Sequence, residues 1–244
     1  MKNLLENDFI NHHCPTARAT VNVVSINDVD FDLDDKAALV CSPGSGVAKY
    51  SNPNRREVNV VNYESFINSL PTRFKEKRKK CDLIVYTSDF SFFLLNELTE
   101  TNPQYVPDFI QPIDGLRRIG KRNHAISQLK QTLEDISEVS AIDTFIKKHK
   151  TKHCCFFNKP QLPPIGSSIT APVSFNSLSL ITPYGIHTRN SDIESYGFEF
   201  WEFSTPQTYL LSFSVRNIAE RLSKLSTKEV KELAEIIKQY FDNK

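Results

Sequence analysis

Residues 81–100 read CDLIVYTSDFSFFLLNELTE, and this stretch decides the fold. Two β-rich runs, Cys81 to Thr87 and Phe92 to Glu100, flank the turn-forming SDFS, which predicts an antiparallel hairpin. Asp82 opens the first strand and Glu97 sits towards the end of the second. A short turn brings those two ends side by side, so both carboxylates can converge on one point. Glu97 interrupts an apolar run, with FFLL before it and Leu98 after it. An acid is rarely buried without a partner or a metal. Each acid taken alone has a plainer explanation: Asp82 capping a strand or pairing with a nearby Lys, and Glu97 facing solvent at a sheet edge.

Outward from the hairpin the pattern is mixed. ATVNVVSI, KAALVCS and REVNVVNY predict strands in residues 17–62, with DVDFDLDD as an acidic turn between them. Tyr63, Phe66, Ile67 and Leu70 fall at helical spacing before Pro71. Residues 101–120 are loop-like, with three prolines and two glycines. The following RNHAISQLKQTLEDISEVSAIDTFIKKHK predicts one long helix or two, with Ala125, Ile126, Leu129, Leu133 and Ile136 as the apolar stripe. KHCCFFN predicts a short buried strand and QLPPIGSS a loop. β-pattern resumes from Ile169 to Phe213, clearest in GFEFWEF and TYLLSFS. An amphipathic helix, STKEVKELAEIIKQYF, closes the chain, with Ser226 and Glu229 as a capping box. This order predicts a single mixed α/β (α+β) domain around a central sheet. Its core spans about residues 62–160, with β-rich extensions at 1–61 and 161–244.

Bulk composition excludes more than it selects. Lys plus Arg is 30 and Asp plus Glu is 29, so nucleic-acid contact needs a local patch rather than a basic chain. Two such patches exist. RFKEKRKK (73–80) includes Lys77, Arg78, Lys79 and Lys80; GLRRIGKRNH (115–124) includes Arg117, Arg118, Lys121 and Arg122. A solvated charged face accounts for either patch equally well. The five cysteines show no CxxC spacing, which favours reduced thiols in the cytoplasm over a disulfide framework. His12, His13 and Cys14 are adjacent, but no second ligand pair follows at a usual spacing, so no zinc site is expected. The first residues carry acids where a signal peptide is apolar, and no run is long and apolar enough to span a membrane.

The hairpin and the helix after it resemble the PD-(D/E)XK nuclease superfamily, which includes many restriction endonucleases. The family pattern is an acid opening one strand, an acid-x-Lys on the next, then a helix bearing Gln. This chain reads KKCD at 79–82, NELTE at 96–100 and AISQLKQTLEDI at 125–136. The resemblance implies a restriction-endonuclease-like mixed sheet flanked by helices. It also implies Mg²⁺ (or Mn²⁺) held by Asp82, Glu97 and the Leu98 carbonyl, and hydrolysis of DNA in restriction or antiviral defence. Glu64 matches a place where some members carry a further acid, and Gln128 would face the site. The family's Lys position holds Thr99, which supplies no charge. Lys130, Lys79 and Lys80 are the substitutes the sequence offers, and Glu100 a further oxygen ligand. Loss of that Lys also fits a degenerate copy, working as a homodimer or as a binding subunit of a larger complex.

Overall fold

The structure is a computed structural model that describes residues 1–36, 38–76, 78–111, 115–160 and 185–212. A π-helical segment, Leu4–Phe9, runs into α1 (Ile10–His13). Strands β1 (Val23–Ile26), β2 (Asp30–Leu33), β3 (Val40–Cys41), β4 (Ala48–Ser51) and β5 (Val58–Asn62) follow. Helices α2 (Tyr63–Ser69) and α3 (Thr72–Lys75) precede the hairpin of β6 (Leu83–Thr87) and β7 (Phe92–Thr99). Next come the small β8 (Phe109–Ile110) and β9 (Arg117–Arg118), then α4 (Lys121–Ser137), α5 (Ser140–Lys147) and β10 (Thr151–Asn158). The described part ends with β11 (Ile186–Thr188), α6 (Ser191–Glu194), β12 (Glu199–Ser204) and β13 (Thr208–Leu210).

The architecture is mixed α+β. Seven strands form the main sheet in the order β1-β5-β6-β7-β10-β12-β11. Its first three pairings are antiparallel, β7-β10 and β10-β12 are parallel, and β11 closes the far edge antiparallel. The β7-to-β10 connection carries α4 and α5, as a parallel pairing requires a long crossover. A second sheet, β13-β4-β2-β3, adds a further layer.

The burial of β7 follows from this layering. Phe93 and Leu95 pack among Ala125, Leu129, Leu133 and Ile136 of α4, together with Phe66 and Ile67 of α2. Phe92, Leu94 and Leu98 point the other way, into a cluster with Phe31, Leu33 and Tyr50 of the second sheet. A strand covered on both faces loses polar alternation and reads as a continuous apolar run, which explains FFLL. The turn is fixed by side chains: Thr87 Oγ1 accepts from the N–H groups of Ser91 (3.1 Å) and Phe92 (3.0 Å). Helix α2 starts where Asn62 Oδ1 accepts from the Ser65 N–H at 2.8 Å.

Two expectations change, and the alternative of one long helix or two is decided. DVDFDLDD is not only a turn, because Asp30–Leu33 forms β2 against β4. Phe31 and Leu33 supply its buried face, a period-2 pattern masked by the intervening acids. The long helix is two, α4 and α5, separated at Glu138–Val139 where Val139 turns to extended backbone. The start of the chain, expected as part of a β-rich extension, is helical, and Leu5, Phe9 and Ile10 enter the helix-side core. The QLPPIGSS loop, the β-pattern from Ile169 to Pro183, the C-terminal helix with Ser226 and Glu229, and Lys77 lie outside the described residues. Among the described residues no helix is long and apolar enough to cross a membrane.

Candidate metal centre

Asp82 and Glu97 both belong to the open end of the hairpin. Leu83, the first residue of β6, opposes Asn96, the neighbour of Glu97. Asp82 stands just before that strand, and its charge acts on the Glu97 carboxyl. The Asp82 N–H donates to Asn96 O at 3.1 Å, and its side chain Oδ2 accepts from the Leu98 N–H at 2.7 Å. In a strand the N–H and C=O of one residue point to the same side, so the Leu98 carbonyl also faces the open space beyond the end of β6.

Glu64 joins from α2. The backbone N–H groups of Tyr63 and Glu64 both donate to Asp82 O at 3.0 Å, which ties the first turn of α2 to the start of β6. Gln128 reaches down from α4, its Nε2 donating to Lys80 O at 3.0 Å, and its amide lies against Glu97. Thr132, one turn further, receives the Cys81 N–H on Oγ1 at 2.9 Å. Helix α4 is therefore fastened to the residues that precede Asp82, and its apolar stripe holds Gln128 at the site.

The electrostatics match an acidic pocket with too little compensation. Asp82 is 6% exposed and Glu97 8%. Burial pushes the Asp82 carboxyl up to about 7; the Leu98 N–H and Lys80 oppose the rise, while Asp35 and Glu64 add to it. Glu97 is pushed well above its ordinary value, first by burial, then by the charges of Asp82 and Glu64, with Gln128 opposing. A charge on Asp82 resists ionisation of Glu97. Glu97 Oε2 is fully buried and accepts no hydrogen bond among the described residues. Such an oxygen is costly unless a cation or donor meets it. The donors are all oxygen, which suits a hard divalent cation such as Mg²⁺ or Mn²⁺ rather than zinc or copper.

No sequence signal marks Asp35 or Lys36 as part of the site. Both stand in the turn after β2, and both line a cleft of about 190 Å³ with Val47, Leu98, Thr99 and Glu100. Asp32 steadies this region: its Oδ2 accepts from the Gly44 (2.8 Å) and Gly46 (3.1 Å) N–H groups. A Cβ at Gly46 would stand 2.7 Å from both Asp32 Cβ and Leu33 O, so only glycine fits there. Lys36 Nζ lies 2.5 Å from Glu100 Oε2, and Lys159 Nζ 3.9 Å from Glu100 Oε1. The DLDD run was the available signal, but nothing local indicates that it folds over the end of β7.

The remaining expected residues divide. Asp82, Glu97, Leu98, Glu64 and Gln128 come together, and Thr99 lines the adjoining cleft. Lys130 does not join them, since its Nζ lies 3.4 Å from Asp192 on α6. In the basic patches, Arg78 donates through Nε and Nη2 to the buried Asp135 (2.8 and 2.5 Å) and covers the Phe74 ring. Arg117 pairs with Asp108 at 3.0 Å and Arg122 with Glu202 at 2.9 Å. Each of those three arginines is paired to an acid within the chain, Arg78 to a buried one, which the charge pattern alone does not reveal. Lys79, Arg118 and Lys121 are exposed, and Lys80 is half-exposed near Asp82. Comparisons with protein-family models, with curated proteins and with solved structures find no match for this chain.

Proposed function

We propose that this protein is a Mg²⁺-dependent nuclease of PD-(D/E)XK type that hydrolyses DNA. The observation that carries the reading is the buried Glu97 Oε2, unpartnered among the described residues, at the open end of the β6-β7 hairpin, where the Asp82 charge and the Gln128 amide both act on its carboxyl. The order helix, hairpin, helix, parallel strand in α2, β6, β7, α4 and β10 supports the restriction-endonuclease-like form of the mixed sheet. Asp82, Glu97 and the Leu98 carbonyl would hold the ion, with Glu64 and Asp35 adding negative charge around it. When bound, such an ion activates a phosphodiester and the attacking water. Gln128 orients Glu97. Thr99 offers a hydroxyl to water but no charge. Lys36, across the cleft from Thr99, takes the place of the missing family lysine and offsets charge on the phosphate once released from Glu100. Lys79, Lys80 and Lys121 would meet the DNA backbone.

The test is cleavage of plasmid and linear DNA by purified protein with Mg²⁺ or Mn²⁺, beside Asp82→Ala and Glu97→Ala. Cleavage by the wild type and its loss in both variants is the expected result. Thr99, together with the pairing of Lys36 to Glu100, supports a second reading, a degenerate nuclease acting as a binding subunit. That reading predicts DNA binding and ion binding without cleavage under any of these conditions. A wild type that binds no Mg²⁺ or Mn²⁺ and cuts nothing contradicts the first reading.

A further inference from the structure

His12 and His13 have no second ligand pair nearby in sequence, yet the fold supplies a third donor from the end of α4. One ligand atom from each of His12, His13 and Glu138 lies within 4.8 Å of the others. His12 Nε2 and His13 Nδ1 are each 3.9 Å from Glu138 Oε2. Tetrahedral zinc, with bonds of about 2.0–2.1 Å, sets its ligand atoms about 3.3–3.4 Å apart. Closing each contact to Glu138 takes about half an ångström, and the side chains of His12 (48% exposed) and Glu138 (58% exposed) have room to turn.

Two independent features make this more than a chance grouping. His13 Nε2 lies 2.9 Å from the backbone oxygen of Asp135. A carbonyl only accepts, so Nε2 carries the hydrogen and Nδ1 presents its lone pair towards Glu138. A backbone carbonyl on the far nitrogen is how ligating imidazoles are commonly oriented. The His13 side chain is 7% exposed and packed against the rings of Phe9 (4.4 Å) and Phe74 (5.2 Å), so this ligand is already in place. The second feature is the helix. Glu138 caps the C-terminus of the 17-residue α4, where unpaired carbonyls favour a cation.

We propose that His12, His13 and Glu138 bind one Zn²⁺ ion, with solvent or an added ligand at the fourth position. Two imidazoles and one carboxylate suit zinc and not Mg²⁺, so this site is chemically distinct from the acidic pocket. The ion fastens the N-terminal helical segment to the end of α4.

The test strips the full-length protein with EDTA and titrates it with Co²⁺ as a spectroscopic stand-in, then with Zn²⁺ by calorimetry. The expected result is one equivalent with tetrahedral cobalt absorption and no thiolate charge-transfer band. His12→Ala and Glu138→Gln, both at exposed side chains, should each weaken binding by more than about tenfold. Their metal-free circular dichroism should match the wild type. Asp82→Asn should keep the full equivalent, which separates this site from the acidic pocket whatever becomes of the nuclease reading. Absence of uptake, uptake unchanged in both variants, or a thiolate band placing the ion on a cysteine would each overturn the proposal.

Discussion

Replacing Asp82 by Asn should stabilise the metal-free protein at alkaline pH while removing its affinity for Mg²⁺. The carboxyl has an ordinary value of 3.8 and is raised to about 7 in the folded chain. Between those values the folded state holds a proton that the unfolded state has released. Stability is therefore fully present below about pH 4 and falls as pH rises towards 7. At about 1.4 kcal/mol per pH unit, the wild type gives up of the order of 4 kcal/mol by pH 8. Asparagine has no such slope and keeps an oxygen for the Leu98 N–H, though a weaker acceptor than a carboxylate. The expected gain is about 2–4 kcal/mol at pH 8 and close to zero at pH 4. Urea unfolding in EDTA reads this as a midpoint rise of about 1 M at pH 8, for an m-value of about 2–3 kcal/mol/M. Added Mg²⁺ should stabilise the wild type and leave the variant unmoved. A variant less stable than wild type at pH 8 without metal would refute the reasoning, because it would make Asp82 a compensated structural carboxylate.

Lys36→Ala should lower the DNA cleavage rate about 100-fold while leaving Mg²⁺ affinity unchanged, measured by single-turnover cleavage beside an Mg²⁺ titration; an unchanged rate removes Lys36 from the reaction. Asp135→Ala should cost about 2–3 kcal/mol in urea unfolding. It strands Arg78, which is 27% exposed and reaches water, so the loss falls short of the 3–5 kcal/mol typical of a fully buried pair. A cost under about 0.5 kcal/mol would show that the bidentate pair contributes nothing net.

How far the sequence could be read depended on the distance over which each signal acts. The hairpin of β6 and β7 was legible because its signals are local: two β-rich runs, a four-residue turn and acids at matching ends. The α4 stripe was legible for the same reason, since helical period is a property of a short window. Gln128 was singled out by resemblance and not by periodicity; its Nε2 donates to Lys80 O, a contact that no local pattern announces. Asp35 and Lys36 were not legible. They reach the site only because β2 belongs to a second sheet whose apolar face covers Leu94 and Leu98, and no local pattern states which sheet packs on which. Arg78 was misread for a related reason. Its charge suggested solvent or phosphate, but Asp135 lies on the buried side of α4, and the pairing becomes visible only when α4 is docked.

Taken as physics, the acidic pocket is expensive. Four carboxylates, Asp35, Glu64, Asp82 and Glu97, press on one another with Lys80, the Leu98 N–H and Gln128 as the opposing groups. A fold selected for stability alone would place an apolar side chain at residue 97, between Leu95 and the core of α4, where it would add burial at about 25 cal/mol per Å² instead of repulsion. Two apolar layers, the α4 helix on one face and the second sheet on the other, instead keep Asp82 and Glu97 largely dry, with Glu64 half-buried and Asp35 exposed beside them. Rigid oxygen donors pay off when an ion arrives, because the repulsion that raised Asp82 and Glu97 becomes attraction to the cation. The same reasoning separates Asp32, also buried but met by two backbone N–H groups, from Glu97, whose Oε2 is met by nothing among the described residues. On the proposed reading Asp32 is a structural acid and Glu97 a metal ligand, and the Asp82→Asn experiment asks whether the pocket behaves as that distinction requires.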